Sequence, residues 1–103
     1  MLTIRKGDFG YAISDSLENY DGTPFDLTGY TVKFKAWKPI YASWPFVNTS
    51  ASVITATSGA VAYTLKAGDF NIVGSYMGAF EALTGTTSVI TFDPFEIDVV
   101  EVA

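Results

Sequence analysis

The chain has 103 residues, the usual size of one domain, with no room for a second core. Its residues are 49% hydrophobic and only 17% charged, a composition that disfavours intrinsic disorder. The net charge of −5 disfavours nucleic-acid binding, and the lack of cysteine excludes disulfides and thiolate metal sites. We therefore expect residues 1–103 to fold as one domain without a disulfide or a metal.

Short segments rich in β-branched and aromatic residues alternate with turn signals along the chain. The predicted strands are Gly10–Leu17, Thr31–Trp37, Ser52–Thr57, Ala60–Leu65, Ser75–Leu83 and Phe95–Val100. Turn signals such as Asn19-Tyr20-Asp21-Gly22, Thr28-Gly29 and Ser58-Gly59 separate them. No window shows the spacing of a capped amphipathic helix, so the pattern predicts an all-β domain.

Apolar and polar residues alternate within several predicted strands. In Thr31–Trp37 the apolar set is Val32, Phe34 and Ala36, and the opposite set is Thr31, Lys33, Lys35 and Trp37. This period of two, with one polar face, is what a half-buried antiparallel strand requires. Pro94 cannot donate a ladder hydrogen bond, so it predicts a bulge or an edge position before the last strand.

Four acidic residues around the first turn are the candidates for catalytic or metal-binding carboxylates: Asp15, Glu18, Asp21 and Asp26. The chain has no histidine and no cysteine, which removes the commonest general base and the Ser-His and Cys-His nucleophile pairs. The spacing of the acids does not match an EF-hand. We expect them to stabilise turns, and we expect no catalytic residue, no metal site and no cofactor.

Tyr76 follows the turn signal at Gly74 and stands near the start of a late strand. A tyrosine at this place is typical of the tyrosine corner of Greek-key sandwiches, in which the hydroxyl bonds to upstream backbone. The pattern predicts an immunoglobulin-like, antiparallel β-sandwich with Greek-key connections and about seven to eight strands. A ligand-stacking role for Tyr76 is the alternative.

An aromatic cluster lies in and beside Lys38–Ser50, a stretch that we interpret as irregular: Trp37, Tyr41, Trp44 and Phe46. It is too long for a hairpin turn and too apolar for a solvated loop. These side chains either cover an open sheet edge or form a protein interface, and both roles can hold for different members. Trp37, on the polar face of its strand, is the better interface candidate.

The ordered series of motifs resembles the N-terminal domain of phage baseplate upper proteins, a family of immunoglobulin-like tail modules. The motifs are Thr3-Ile4-Arg5-Lys6-Gly7-Asp8, Asp21-Gly22-Thr23-Pro24-Phe25-Asp26-Leu27-Thr28-Gly29, Thr31-Val32-Lys33-Phe34-Lys35, Gly59-Ala60-Val61-Ala62-Tyr63-Thr64-Leu65 and Gly74-Ser75-Tyr76-Met77-Gly78-Ala79-Phe80-Glu81. The resemblance spans nearly the whole chain. It implies a virion structural protein that docks to other baseplate or tail proteins and helps to present receptor-binding parts. From the missing histidine and cysteine we expect that the chain is not an enzyme.

Three functions follow as hypotheses. The first is a baseplate or tail component, present in many copies or as a homo-oligomer, with exposed main chain at Leu2–Arg5 or Phe95–Val102 able to add strands across subunits. The second is a capsid decoration protein of the same fold. The third is a carbohydrate-binding module with Trp37, Tyr41 and Trp44 as its stacking platform. No secretion signal and no membrane span is evident, so we expect synthesis in the host cytoplasm and no membrane partner.

Overall fold

The computed structural model describes residues 2–38, 45–70, 72–85 and 88–101, with the backbone alone at 45, 46 and 88. These residues form eight strands. The strands are β1 (Leu2–Arg5), β2 (Ala12–Ser16), β3 (Thr31–Trp37), β4 (Pro45–Thr55), β5 (Ala60–Thr64), β6 (Gly74–Thr84), β7 (Ser88–Thr91) and β8 (Phe95–Val100). One 3₁₀ turn, Ala56–Ser58, connects β4 to β5. Among the described residues no helix is long and apolar enough to cross a membrane.

The strands pair in the order β1-β8-β6-β3-β4-β5-β2, and β7 also pairs with β6. The sheet is mixed and curls into a half-barrel, which confirms the prediction of an all-β, sandwich-like domain. One pairing differs from the expected antiparallel pattern, because β1 runs parallel to β8. Since β8 also pairs with β6, both edges of Phe95–Val100 are occupied and only the outer edge of β1 is open there.

Strand β4 divides the half-barrel into two parts. Its first half pairs with β3 through Val47–Ala51, and its second half pairs with β5 through residues 52–55. We call β1, β8, β6, β7, β3 and the first half of β4 the larger sheet, and the second half of β4 with β5 and β2 the smaller sheet. A strand that changes sheets in this way forms a corner and lets the two inner faces meet.

The core lies between these two inner faces. Phe34 on β3 is fully buried, and its ring stacks on the ring of Tyr63 on β5 at 4.7 Å with an interplanar angle of 12°. Phe80, directly paired with Phe34 on the neighbouring strand β6, lies with its ring 5.3 Å from that of Phe34. The Tyr63 hydroxyl donates to the Asp69 carboxylate, which also accepts the backbone N–H of Lys66 at 2.9 Å. Aromatic stacking across the sheets therefore joins the two halves of the fold.

The segment Lys38–Ser50 was predicted to be irregular, and for its last six residues this prediction is wrong. Strand β4 begins at Pro45 and runs without interruption to Thr55. The polar run Asn48-Thr49-Ser50 hides the strand in the sequence, because it breaks the apolar alternation that begins at the buried Val47. The predicted strand Ser52–Thr57 therefore starts seven residues too late and runs two residues into the 3₁₀ turn.

Pro94 lies between β7 and β8, which follow one another along the same edge of β6. The backbone N–H of Phe92 still bonds to Phe80 O at 3.0 Å. The register changes by one residue between β7 and β8. Strand β7 pairs Thr91 with Glu81, and β8 pairs Phe95 with Gly78, so the segment between Thr91 and Phe95 has one residue more than the facing segment of β6. This is a β-bulge at residues 93–94, in agreement with the position predicted for a proline that cannot donate.

The connections between strands gather at two ends of the half-barrel. Strands β1, β3 and β8 finish at one end, which also has the connections 6–11 and 65–73, and we call it the upper end. There the two connections meet, because Gly7 N donates to Phe70 O at 3.0 Å. We call the lower end the one with the connections 17–30 and 56–59, where Leu17 N donates to Gly59 O at 2.8 Å. Strand β6 has 11 residues and spans roughly 36 Å between them.

Candidate functional site

The face of the larger sheet that points away from the core carries Trp37. On β3, Val32, Phe34 and Ala36 are buried, whereas Lys33, Lys35 and Trp37 are half-buried on the opposite face. Trp37 lies directly across from Met77 on β6 and from Pro45 on β4. Directly opposed side chains on one sheet face are in contact range, so Trp37 and Met77 form an apolar pair on this outer face.

One ion pair lies beside this apolar pair, and exposed Glu96 on β8 stands directly across from Met77. Lys35 Nζ lies 3.0 Å from Glu81 Oε2, and the Thr91 hydroxyl donates to the same oxygen at 3.3 Å. Glu81 is only 8% exposed although it is on the outer face, and Lys33 stands directly opposite it in the register. A carboxylate at this depth needs its partners, because desolvation of an unpaired charge is costly. The outer face is therefore an apolar strip beside a closed ion pair.

The side chains of the other three members of the predicted aromatic cluster lie outside what the structure describes. Tyr41 and Trp44 lie outside the described residues, and for Phe46 only the backbone, in β4, is described. The chain leaves the sheet after Trp37 and re-enters it at Pro45, which pairs with Trp37. The proposed interface role of Trp37, Tyr41, Trp44 and Phe46 stays a prediction.

Tyr76 is buried near the start of β6, and its hydroxyl donates to the carbonyl oxygen of Ile72 at 2.7 Å. Its ring meets Phe70 edge to face at 5.3 Å, and Lys38 Nζ lies 5.2 Å from the ring centroid. Burial raises the pKa of the Tyr76 hydroxyl above its ordinary value. This geometry suits a structural corner better than ligand stacking, and the tyrosine-corner role stays a prediction.

Removing the Tyr76 hydroxyl tests that role. We expect Tyr76→Phe to lower the free energy of unfolding by about 1–2 kcal/mol, because the Ile72 carbonyl loses a donor in a partly buried place. Urea unfolding followed by circular dichroism gives the value. Tyr20→Phe is the matched control, since the Tyr20 side chain is fully exposed, and its effect should stay below about 0.5 kcal/mol. Equal effects of the two substitutions would contradict the corner role.

Three of the four acidic candidates accept hydrogen bonds from nearby backbone. Asp15 accepts the backbone N–H of Ser16 at 2.8 Å, and Glu18 forms an isolated β-bridge with Pro24. Asp21 accepts hydrogen bonds from the backbone and hydroxyl of Thr23, at 3.0 and 2.6 Å, and Asp26 does the same with Thr28. These bonds, the hydroxyl bond first, lower the pKa of both carboxyl groups. No group of three or more potential ligands suited to a metal ion occurs among the residues that the structure describes.

An apolar surface at the upper end was missed in the sequence. Four large apolar side chains there are 41–65% exposed: Phe9, Tyr11, Ile72 and Val73. Tyr11 also lines a groove of about 410 Å³, together with Ile4, Arg5, Asp8, Leu65 and Val100 among others. The available signal was an aromatic residue on each side of Gly10, in a segment that otherwise has turn composition. Exposed apolar groups that cluster in this way mark interaction surfaces.

Comparison with known proteins decides the family. The family model of the BppU N-terminal domain matches residues 2–102. The chain belongs to this family. BppU N-terminal domains are structural domains of the phage baseplate, so the chain is a virion structural protein of the baseplate or tail.

A solved structure shares the fold. The N-terminal domain of phage TP901-1 ORF48 superposes with a TM-score of 0.74 at 18% identity, and the match covers 96% of this chain and 83% of that one. At that identity the likeness concerns the fold. No curated protein matches the sequence.

Proposed function

We propose that this BppU N-terminal domain acts by docking to neighbouring virion proteins, in several copies per particle and without catalysis. The apolar strip at Trp37 and Met77 carries the proposal, because it is an apolar part of the outer sheet face beside the closed ion pair of Lys35 and Glu81. Aromatic residues with depleted free charge are typical of the centre of protein interfaces. Synthesis in the host cytoplasm, before assembly into the virion, is part of the same proposal.

The composition supports association rather than turnover. The chain has no histidine and no cysteine, and its turn carboxylates Asp21 and Asp26 are occupied by threonine donors with lowered pKa values. A general acid at neutral pH needs a raised carboxyl pKa, which is the opposite direction. The carbohydrate-binding alternative depends on Trp37, Tyr41 and Trp44 together, and two of these three residues lie outside the described residues.

Substitution of Trp37 tests the docking proposal. We expect Trp37→Ala to reduce incorporation of the chain into phage particles at least about tenfold, since one anchor aromatic in an interface contributes about 2 kcal/mol or more. Incorporation is measured by quantitative mass spectrometry of purified particles after complementation. Circular dichroism must show that the variant is folded.

Ile54→Ala is the control, because Ile54 is 64% exposed on β4 and is not part of the strip. It should incorporate as the unaltered chain does. Normal incorporation of folded Trp37→Ala would reject the strip as the docking surface. Binding of the chain to a glycan array, lost in a Trp44→Ala variant, would favour the carbohydrate alternative instead.

A further inference from the structure

The two ends of the half-barrel differ in charge. The lower end and the strand leading to it bear four acidic side chains: Asp15, Glu18, Asp21 and Asp26. Residues 7–32, which include all four, contain no lysine or arginine. None of the described ion pairs involves these four carboxylates, and the nearest basic residue along the chain is Lys33 on β3, so two lower ends repel each other.

The upper end bears four of the six basic residues of the chain: Arg5, Lys6, Lys38 and Lys66. The acids near it are Asp8, Asp69, Asp98 and Glu101. Of these, Asp69 is engaged by the Tyr63 hydroxyl and the Lys66 N–H, and Glu101 lies 3.8 Å from Lys6 Nζ. The upper end is thus balanced in charge and offers cations, so a lower end is attracted to an upper end more than to another lower end.

The lower end also presents one aromatic side chain. Tyr20 is fully exposed at the tip of a turn. The turn is closed by Asn19 N to Thr23 O at 2.8 Å and Gly22 N to Asn19 O at 3.0 Å, and the Asn19 amide donates to the Thr23 hydroxyl at 3.1 Å. A ring held out by such a turn loses little conformational freedom on binding. Glu18 and Asp21 flank it.

The groove at the upper end has the complementary chemistry. Its exposed apolar wall is Tyr11, which suits an aromatic ring, and the buried Ile4 and Leu65 form its floor. Arg5 lines it as well and can lie over a ring or face a carboxylate. Asp8 supplies an acceptor for a tyrosine hydroxyl.

We propose that copies of this chain associate head to tail, with Tyr20 of one copy seated in the upper-end groove of the next. The carboxylates of Glu18 and Asp21 then face Arg5 of that next copy. A contact between two different surfaces does not close after two copies, and it produces a ring or a line. The inference rests on the proposed role as a multicopy particle component, and it names a second copy as the partner of the groove.

Sedimentation of the purified chain tests the proposal. The chain should self-associate between about 10 μM and 1 mM at low salt, the range of small interfaces, and less so as salt screens the charges. Tyr20→Ala and Arg5→Glu should each remain monomeric. Each variant keeps one intact surface, so an equimolar mixture should give a 1:1 dimer and no larger species.

Val89→Ala is the control, since Val89 is 60% exposed but lies on β7, and this variant should associate as the unaltered chain does. A monomer at all concentrations, self-association of either end variant, or failure of the mixture to dimerise would overturn the head-to-tail contact. Thermal unfolding shows that each variant is folded. If the chain is monomeric yet present in particles, only this contact is wrong; absence from particles despite self-association would refute the proposed function.

Discussion

Phe34→Ala is expected to lower the free energy of unfolding by about 3–5 kcal/mol, the usual cost of truncating a buried phenylalanine. Phe34 is fully buried and stacks on Tyr63 at 4.7 Å, with Phe80 at 5.3 Å. The cavity would lie between the two sheets, where neither sheet can close it without moving β4. Such a loss is a large part of the 5–15 kcal/mol that stabilises a domain of this size.

Equilibrium unfolding in urea measures this loss, with thermal unfolding as a second observable. A loss of each kcal/mol corresponds to about 4–8 °C in Tm for a domain of this length. The matched control is Ile54→Ala, which removes an aliphatic side chain that is 64% exposed on β4 and should cost less than about 0.5 kcal/mol. A cost for Phe34→Ala below about 1 kcal/mol would mean that the two sheets are not joined through this ring stack.

The strand that carries Phe34 was also the most predictable element. Thr31–Trp37 was predicted with the observed bounds, because Val32, Phe34 and Ala36 alternate with the polar residues before and between them. Phe95–Val100 was predicted equally well, for the same reason. In both strands one face is buried, so the sequence periodicity and the burial report the same constraint.

Pairings between distant parts of the chain could not be predicted in this way. The parallel pairing of Leu2–Arg5 with β8 joins the two ends of the described chain, and no local pattern distinguishes parallel from antiparallel partners in so short a strand. The course of β4 was missed because its first half pairs with β3 in the larger sheet and its second half pairs with β5 in the smaller sheet. A single alternation cannot describe a strand that changes sheets.

The candidate site was predicted in part. Trp37 is on the outer face as its place in the alternation indicates, and Tyr76 bonds to upstream backbone as its place after the Gly74 turn suggests. The closed ion pair of Lys35 and Glu81 was not anticipated, since the two residues are 46 positions apart and only the β3–β6 register brings them together. The same holds for the groove at the upper end, which β1, β8 and the connections 6–11 and 65–73 build together.

Gly59 illustrates how such long-range contacts constrain one residue of a turn that looks ordinary in the sequence. It ends the 3₁₀ turn with φ of +73°, in the left-handed region that favours glycine. A Cβ placed there would overlap the carbonyl oxygen of Leu17 and lie 2.9 Å from that of Phe25. Both obstacles are backbone carbonyl groups. Two hydrogen bonds hold this backbone in place: Leu17 N donates to Gly59 O at 2.8 Å, and Phe25 N donates to Leu17 O at 2.9 Å.

We expect Gly59→Ala to lower the free energy of unfolding by about 2–5 kcal/mol. Roughly 1–2 kcal/mol comes from the left-handed conformation and about 1–3 kcal/mol from overpacking against the two carbonyls. Gly29→Ala separates these contributions, because Gly29 has a similar φ of +83° but nothing within 4 Å of its added Cβ. Urea unfolding of both variants should show Gly29→Ala losing only the conformational part. Equal losses would show that the 17–25 backbone yields to the methyl group, and that the lower end is less rigid than its hydrogen bonds indicate.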